Sequence, residues 1–285
     1  MEYLMTYGWA ILIIAVVLGA LFSLGVFNGA NFAPKAPPGA CQVFRPNGPG
    51  STSFINLEGV CSGELPQYAA QFNGTTSVVT IQSTSALNLQ GQFTLAVWED
   101  TGDNIANIGG AFISKLICST SCAGWGFRMD NGASLPYLGM WLGIWTGGAI
   151  NVETKTWDFA TFVYNGNGGG QFYFNGAADG PPVSGLSTPS PTSENVYIGL
   201  ESWDPTEYPM NGLLANVQVY NTSLSANEIQ ALYLEGIGGA PIDLQNLVGW
   251  WPLNGNANDY SGNMNNGQAT NVIYTSSWTN GYTAP

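Results

Sequence analysis

The chain has 285 residues, enough to bury one large core or two small ones. Five basic against 18 acidic side chains give a formal charge of −13, which repels phosphate backbones and excludes nucleic acid as a partner. Only 8% of residues are charged and none is histidine, so the commonest general base, the Ser-His and Cys-His nucleophile pairs and the commonest zinc ligand are all missing.

From Tyr3 to Phe27 no side chain is charged, and Ile11 to Ile14, Val16 to Leu18, Leu21, Phe22 and Leu24 make the segment apolar on every face. As a helix rising about 1.5 Å per residue it is long enough to cross a bilayer core of roughly 30 Å. A cleaved secretory signal needs a basic start, and here the segment opens on Glu2, Tyr3, Tyr7 and Trp9. An ordinary single-span anchor fits the apolar run equally well.

The string Glu2-Tyr3-Leu4-Met5-Thr6-Tyr7-Gly8-Trp9-Ala10, running on to Val17, resembles the N-terminal helix of archaeal type IV pilin-like proteins. The resemblance covers residues 1–27 and implies a helix that waits in the membrane and then packs with its copies in a filament core. It implies polymerisation contacts through Glu2, Tyr3, Tyr7, Trp9, Ile13, Val17 and Leu21. The family carries a glutamate at the fifth mature position, so Glu2 stands off the family register.

Gly29, Pro34, Pro37 and Pro38 stop the helix and make 28–39 an extended linker. Four cysteines follow in two local pairs, Cys41 with Cys61 and Cys118 with Cys122, without the double CxxC spacing of a zinc site. Disulfides formed outside the cytoplasm are the better reading. Asn73-Gly74-Thr75 and Asn221-Thr222-Ser223 are sequons that fit a glycosylated exterior at Asn73 and Asn221.

Beyond the linker, strand signals repeat. Phe93-Thr94-Leu95-Ala96-Val97 alternates with period two, and Thr161 to Tyr164, Gln171 to Phe174 and Asn195 to Ile198 are further short β-rich runs. Asn131-Gly132, Asn165-Gly166, Asn175-Gly176 and Asn211-Gly212 read as turns between them. One helix is written into this region: Ser225 and Glu228 form a capping box, Ile229, Leu232 and Tyr233 share a face, and Gly236 ends it.

Tyr68-Ala69-Ala70-Gln71-Phe72-Asn73-Gly74, Val78 to Ile81, Leu87-Asn88-Leu89 and Phe93 to Trp98 resemble the opening strands of laminin-G-like, concanavalin-type jelly rolls. The likeness continues through Trp157 to Gly166, Phe172 to Gly176 and Gly212 to Ser225, and so covers residues 66–238. It implies a mainly β protein, an antiparallel sandwich over 40–285. The Trp-Pro strand and Asn/Gly-rich stretch that open such domains stand here at the far end, in Leu247 to Gly255, Asp259 to Gly262 and Asn266-Gly267. That order implies a circular permutation in which 247–285 supplies the missing first strands, either to its own head or to a neighbour's.

Three clusters carry the candidate chemistry. Asn254, Asn256, Asn258 and Asp259 concentrate oxygen atoms suited to calcium, or to Asx turns that bond nearby backbone. Glu201, Asp204 and Glu207 near Trp203 and Tyr208 could act on a sugar as paired carboxylates, or simply be solvated loop acids. Trp141, Trp145 and Trp203 could stack on sugars, or belong to the sandwich core. With no histidine and one weak carboxylate cluster, the chain is expected to be no enzyme and to hold no cofactor or metal. The leading reading is a filament subunit on the cell surface with a lectin-like adhesive head, partnered by identical subunits, by the membrane before assembly, and by glycans or cell surfaces. A membrane-anchored glycan-binding lectin is the alternative, with a secreted glycan-active enzyme behind it.

Overall fold

The computed structural model describes residues 65–102, 110–131, 136–152, 155–201 and 208–285, together with Ile14, Val16 and two strands near residue 50. The chain divides into two compact units, and the larger, Gln42–Ile55 with Gly63–Pro285, holds nearly all of these residues. The expected helix over 1–27, the linker and the Cys41–Cys61 pair lie outside the described residues, save Ile14 and Val16, which are helical and exposed. Among the described residues no helix is long and apolar enough to cross a membrane.

Strands β1 (Gln42–Pro46) and β2 (Thr52–Asn56) pair with each other. The head is two antiparallel sheets. The first has the order β12 (Ala177–Ala178), β11 (Gly169–Phe174), β10 (Asp158–Tyr164), β5 (Phe93–Thr101), β15 (Asn211–Tyr220), β3 (Ala69–Asn73), β18 (Ile273–Thr275), with β13 (Val183–Ser184) on β11 and β16 (Leu247–Trp251) on β15. The second has the order β17 (Gly267–Thr270), β4 (Val78–Ile81), β14 (Val196–Ile198), β6 (Ala111–Cys118), β7 (Cys122–Asn131), β8 (Pro136–Trp141), β9 (Trp145–Asn151).

Period-two alternation sorts the side chains between two cores. Phe93, Leu95 and Val97 of β5 enter the core between the sheets, beside Phe72, Trp125, Phe127, Phe162 and Trp251. Ala96 and Trp98 point the other way, into a second apolar layer with Phe159, Ile229, Leu232 and Trp278. That layer forms because helix α1 (Ala226–Leu234) and the C-terminal segment cover the outer face of the first sheet. Both halves of the Ser225–Glu228 capping box are present, Gly236 takes a φ of +78°, and Tyr233 stacks on Trp98 at 5.7 Å between centroids.

The C-terminal segment closes its own head. One edge of β15 is shared end to end: Asn211 to Leu214 pair with β3, and Val217 to Tyr220 pair with β16. Asn216 marks the change, with a φ of +51° and a side chain that donates to Gly239 O and accepts from Trp250 Nε1 at 2.7 Å. Every residue of β16 is buried, and β17 and β18 add edges on β4 and β3, so the contribution extends past Ala269.

Two local expectations change. Leu87-Asn88-Leu89 is not a strand: Ser85–Asn88 is a single 3-10 turn that drops Leu87 into the core. Asn211-Gly212 is not a turn but the first pair of β15, where Gly212, with a φ of +150°, lies so close to the backbone of Asp100 and Thr101 that a Cβ would collide. Glycine is there for close strand approach.

Candidate functional site

Strands β6 to β9 form a meander whose alternation leaves one face for the core and one for the outside. On β7, Trp125, Phe127 and Met129 enter the core, so Gly124, Gly126 and Arg128 face away; on β8, Leu138 and Met140 enter, leaving Tyr137, Gly139 and Trp141 outside. Gly139 has no room for a Cβ because the Trp145 ring lies against it, and Gly147 is covered by Tyr137 in the same way. The two glycines let aromatic rings lie flat on the sheet.

Arg128 organises this face. Its guanidinium lies 3.9 Å from the ring centroid of Trp145 and 3.4 Å from that of Tyr208, while Nη1 donates to Glu201 Oε2 at 2.7 Å and Nη2 to Asp130 at 3.4 Å. The Glu201 side chain is fully buried. A charge held by two carboxylates and two rings is oriented, and it fixes the planes of the rings in turn.

Beside Arg128, the cavity walled by Leu116, Cys118, Cys122, Trp141 and Trp145 holds about 200 Å³. Cys118 and Cys122 are register partners across the β6–β7 hairpin, 4.0 Å apart at Cα, and are joined by a disulfide. The indole N–H groups of Trp141 and Trp145 and the Nε of Arg128 are buried with no hydrogen-bond acceptor among the described residues. A larger groove of about 630 Å³ between Gly168–Gln171 and Pro182–Gly185 lies on the first sheet and lacks an aromatic wall.

The structure thus brings Trp141, Trp145, Glu201 and Tyr208 together on one sheet face, with the two tryptophans outside the sandwich core. Trp203, Asp204 and Glu207 lie outside the described residues, as do Glu2, Tyr3, Tyr7, Trp9, Ile13, Val17 and Leu21. Glu201 is fully buried, and its Oε2 accepts from Arg128 Nη1. The Asn254–Asp259 loop spends its side-chain oxygens on backbone N–H groups: Asx turns run from Asn256 Oδ1 to Asn258 and from Asp259 Oδ1 to Ser261, while Asp259 Oδ1 also accepts the N–H of Trp250, its Oδ2 that of Asn265, and Asn254 Oδ1 that of the sequence-distant Tyr68. Asn73 and Asn221 are exposed, and Asn73 Oδ1 also takes the N–H groups of Thr75, Thr76 and Ser77. The Cys118–Cys122 bridge is the one expected from the sequence, whereas Arg128 and Leu116 escape a reading by motif. The signal that finds them is the alternation of Trp125, Phe127 and Met129, which puts Arg128 on the tryptophan face.

The family model described as Laminin_G_3, concanavalin A-like lectin/glucanases superfamily, matches residues 73–230, more than half of the chain. The chain belongs to this superfamily. Its concanavalin A-like fold is shared with a Bacteroides ovatus protein described as a candidate carbohydrate-binding protein, at a TM-score of 0.58, 16% identity and coverage of 79% of this chain. The chain spans 66% of that protein, just under two thirds of its length. A heptameric pentraxin of Limulus polyphemus aligns at a TM-score of 0.46 with 15% identity, over 61% of this chain and 85% of its own. The CBM40 of a Ruminococcus gnavus sialidase, solved with α2,3-sialyllactose, aligns at 0.46 with 15% identity, over 59% and 97%. At such identities the concanavalin A-like likeness is one of fold. No curated protein sequence matches the chain.

Proposed function

We propose that the chain is a surface-displayed carbohydrate-binding protein, held at the membrane by its apolar N-terminal segment and binding a glycan in the cavity between Trp141 and Trp145. The observation that carries this reading is the pair of indole rings fixed on one sheet face beside a locked arginine, with apolar ring surface for the carbon face of a sugar. The superfamily and the fold shared with the Bacteroides candidate carbohydrate-binding protein support it. Binding without turnover fits the engagement of Glu201 by Arg128. Strands contributed after residue 246, past the end of the family match, fit a circularly permuted head.

The test is saturation-transfer NMR with the full chain in detergent micelles against a panel of neutral mono- and oligosaccharides. Binding that is lost in Trp141→Ala and Trp145→Ala variants of native fold supports the reading. A panel without a single binder, or binding indifferent to both substitutions, sinks it.

A filament subunit is the second reading, favoured by the Glu2 to Val17 string, with the head turned outward and identical subunits as partners. Negative-stain images of native protein after detergent removal separate the two: regular fibres support assembly, and dispersed particles support the anchored lectin.

A further inference from the structure

We infer that the cavity between Trp141 and Trp145 selects sugars that carry a methyl group, 6-deoxyhexoses above all. The inference rests on the carbohydrate reading given above and names the class of sugar for that same site.

Chemistry and size both point there. The wall consists of the Leu116 side chain, the Cys118–Cys122 disulfide, two indole rings and Arg128, and the surface it turns to the cavity is almost wholly apolar. The Arg128 Nη atoms are held by Glu201 and Asp130, whereas Arg128 Nε and both indole N–H groups have no acceptor among the described residues but lie beneath the wall, without accessible surface of their own. A hydroxyl pushed into this space would give up its bonds to water and meet almost no accessible donor or acceptor of the described wall residues. A methyl group gives up nothing and gains contact with carbon on several sides.

The volume of about 200 Å³ is below the range of roughly 300–1,000 Å³ usual for whole small-molecule ligands. It exceeds the roughly 150 Å³ of an apolar cavity that admits benzene. The space therefore admits the apolar edge of one sugar ring together with its methyl substituent, and not a whole oligosaccharide, with the remaining hydroxyls left in water. Acidic sugars are a poor match, since the single cation Arg128 faces both Glu201 and Asp130 on a chain of net charge −13.

Two matched pairs isolate the claim: L-fucose with L-galactose and L-rhamnose with L-mannose, each differing only in a hydroxyl on carbon 6. With the full chain in micelles, the 6-deoxy member of at least one pair is expected to bind roughly tenfold tighter or better, the scale of one apolar group in a fitted pocket. Its C6 methyl protons should receive the strongest saturation transfer, a readout that needs no variant. Leu116→Ser should shrink the preference within the pair. Equal affinities in both pairs, with saturation centred on ring protons and binding still lost in Trp141→Ala, would overturn the methyl selection and leave the carbohydrate reading standing. If neither these four sugars nor the neutral panel binds, the carbohydrate reading itself falls, and the selection with it.

Discussion

Arg128 donates to Glu201 across 2.7 Å, and Glu201 has no accessible surface, so a full ion pair is enclosed on the outer side of a sheet rather than in its core. Breaking such a pair from one side strands a buried charge, which costs about 3–5 kcal/mol. Glu201→Gln is therefore expected to lower the urea midpoint by an amount worth about 3 kcal/mol and to loosen Trp145 and Tyr208, with a change in near-ultraviolet circular dichroism. Loss of a polysaccharide-cleaving activity in this variant, at unchanged stability, would instead make Glu201 a catalytic group.

Glu99, on β5, is fully buried opposite Asp158 of β10. Burial raises its carboxyl pKa well above the ordinary value of 4.5, and the charges of Asp158 and Asp100 raise it further, against the Thr101 backbone N–H. A folded-state pKa above the unfolded one means that the native state holds the proton more tightly. The associated stability is fully present below about pH 4 and is lost as pH rises through the folded value. Glu99→Gln, which stays neutral, should match the parent near pH 4 and melt higher at pH 7 to 8. Equal melting temperatures across that range would contradict it.

Asp259 ties β16 to the loop after it by accepting three backbone N–H groups and the Ser261 hydroxyl. Asp259→Ala leaves buried donors without partners, each worth about 1–3 kcal/mol. A melting point lowered by 5 °C or more is expected, and a chelator should leave the parent protein unchanged. A chelator effect equal to the substitution would mean that the loop holds a cation instead.

Removing 247–285 strips β16 from the second half of β15 and opens a core that contains Trp251 and Leu253. An exposed strand edge beside apolar surface promotes association. The shortened chain is expected to be recovered as aggregate by size-exclusion chromatography. A soluble form that melts cooperatively at the parental temperature would show the segment to be dispensable.

The Cys118–Cys122 bridge closes five residues of a hairpin that strand pairing from Ala111 onward already holds. Loop-closure entropy for so short a ring is about 2 kcal/mol. Replacing both cysteines by serine should therefore cost no more than that in urea unfolding while leaving the fold intact. Global unfolding of the double variant under native conditions would give the bridge a larger share in holding the sheets.

Local chemistry made much of the head legible in the sequence. Ser225 and Glu228 announce a capped helix because both groups lie within one turn, and Asn175-Gly176 announces a hairpin because their positive φ angles, 49° and 77°, are what those residues tolerate. Alternation along Phe93 to Val97 places side chains on alternate faces whatever the rest of the chain does. The string at Leu247 to Gly255, out of order against the laminin-G-like pattern, pointed to a strand that must return to the body of the head. What tertiary structure alone decided is where faces meet. No spacing shows that β16 takes the second half of an edge whose first half belongs to β3, since Asn216 creates that division by changing the backbone course within β15. The candidate cavity has the same origin: Leu116, the disulfide, Arg128, Trp141 and Trp145 come from four strands, and Glu201 is 73 residues from its arginine. Period two determines that each of these side chains faces away from the core, but only the pairing of β6 with β7, β8 and β9 sets them against one another. Two glycines, Gly139 and Gly147, then let the rings lie against the sheet, a consequence of the space above a strand that no sequence pattern records.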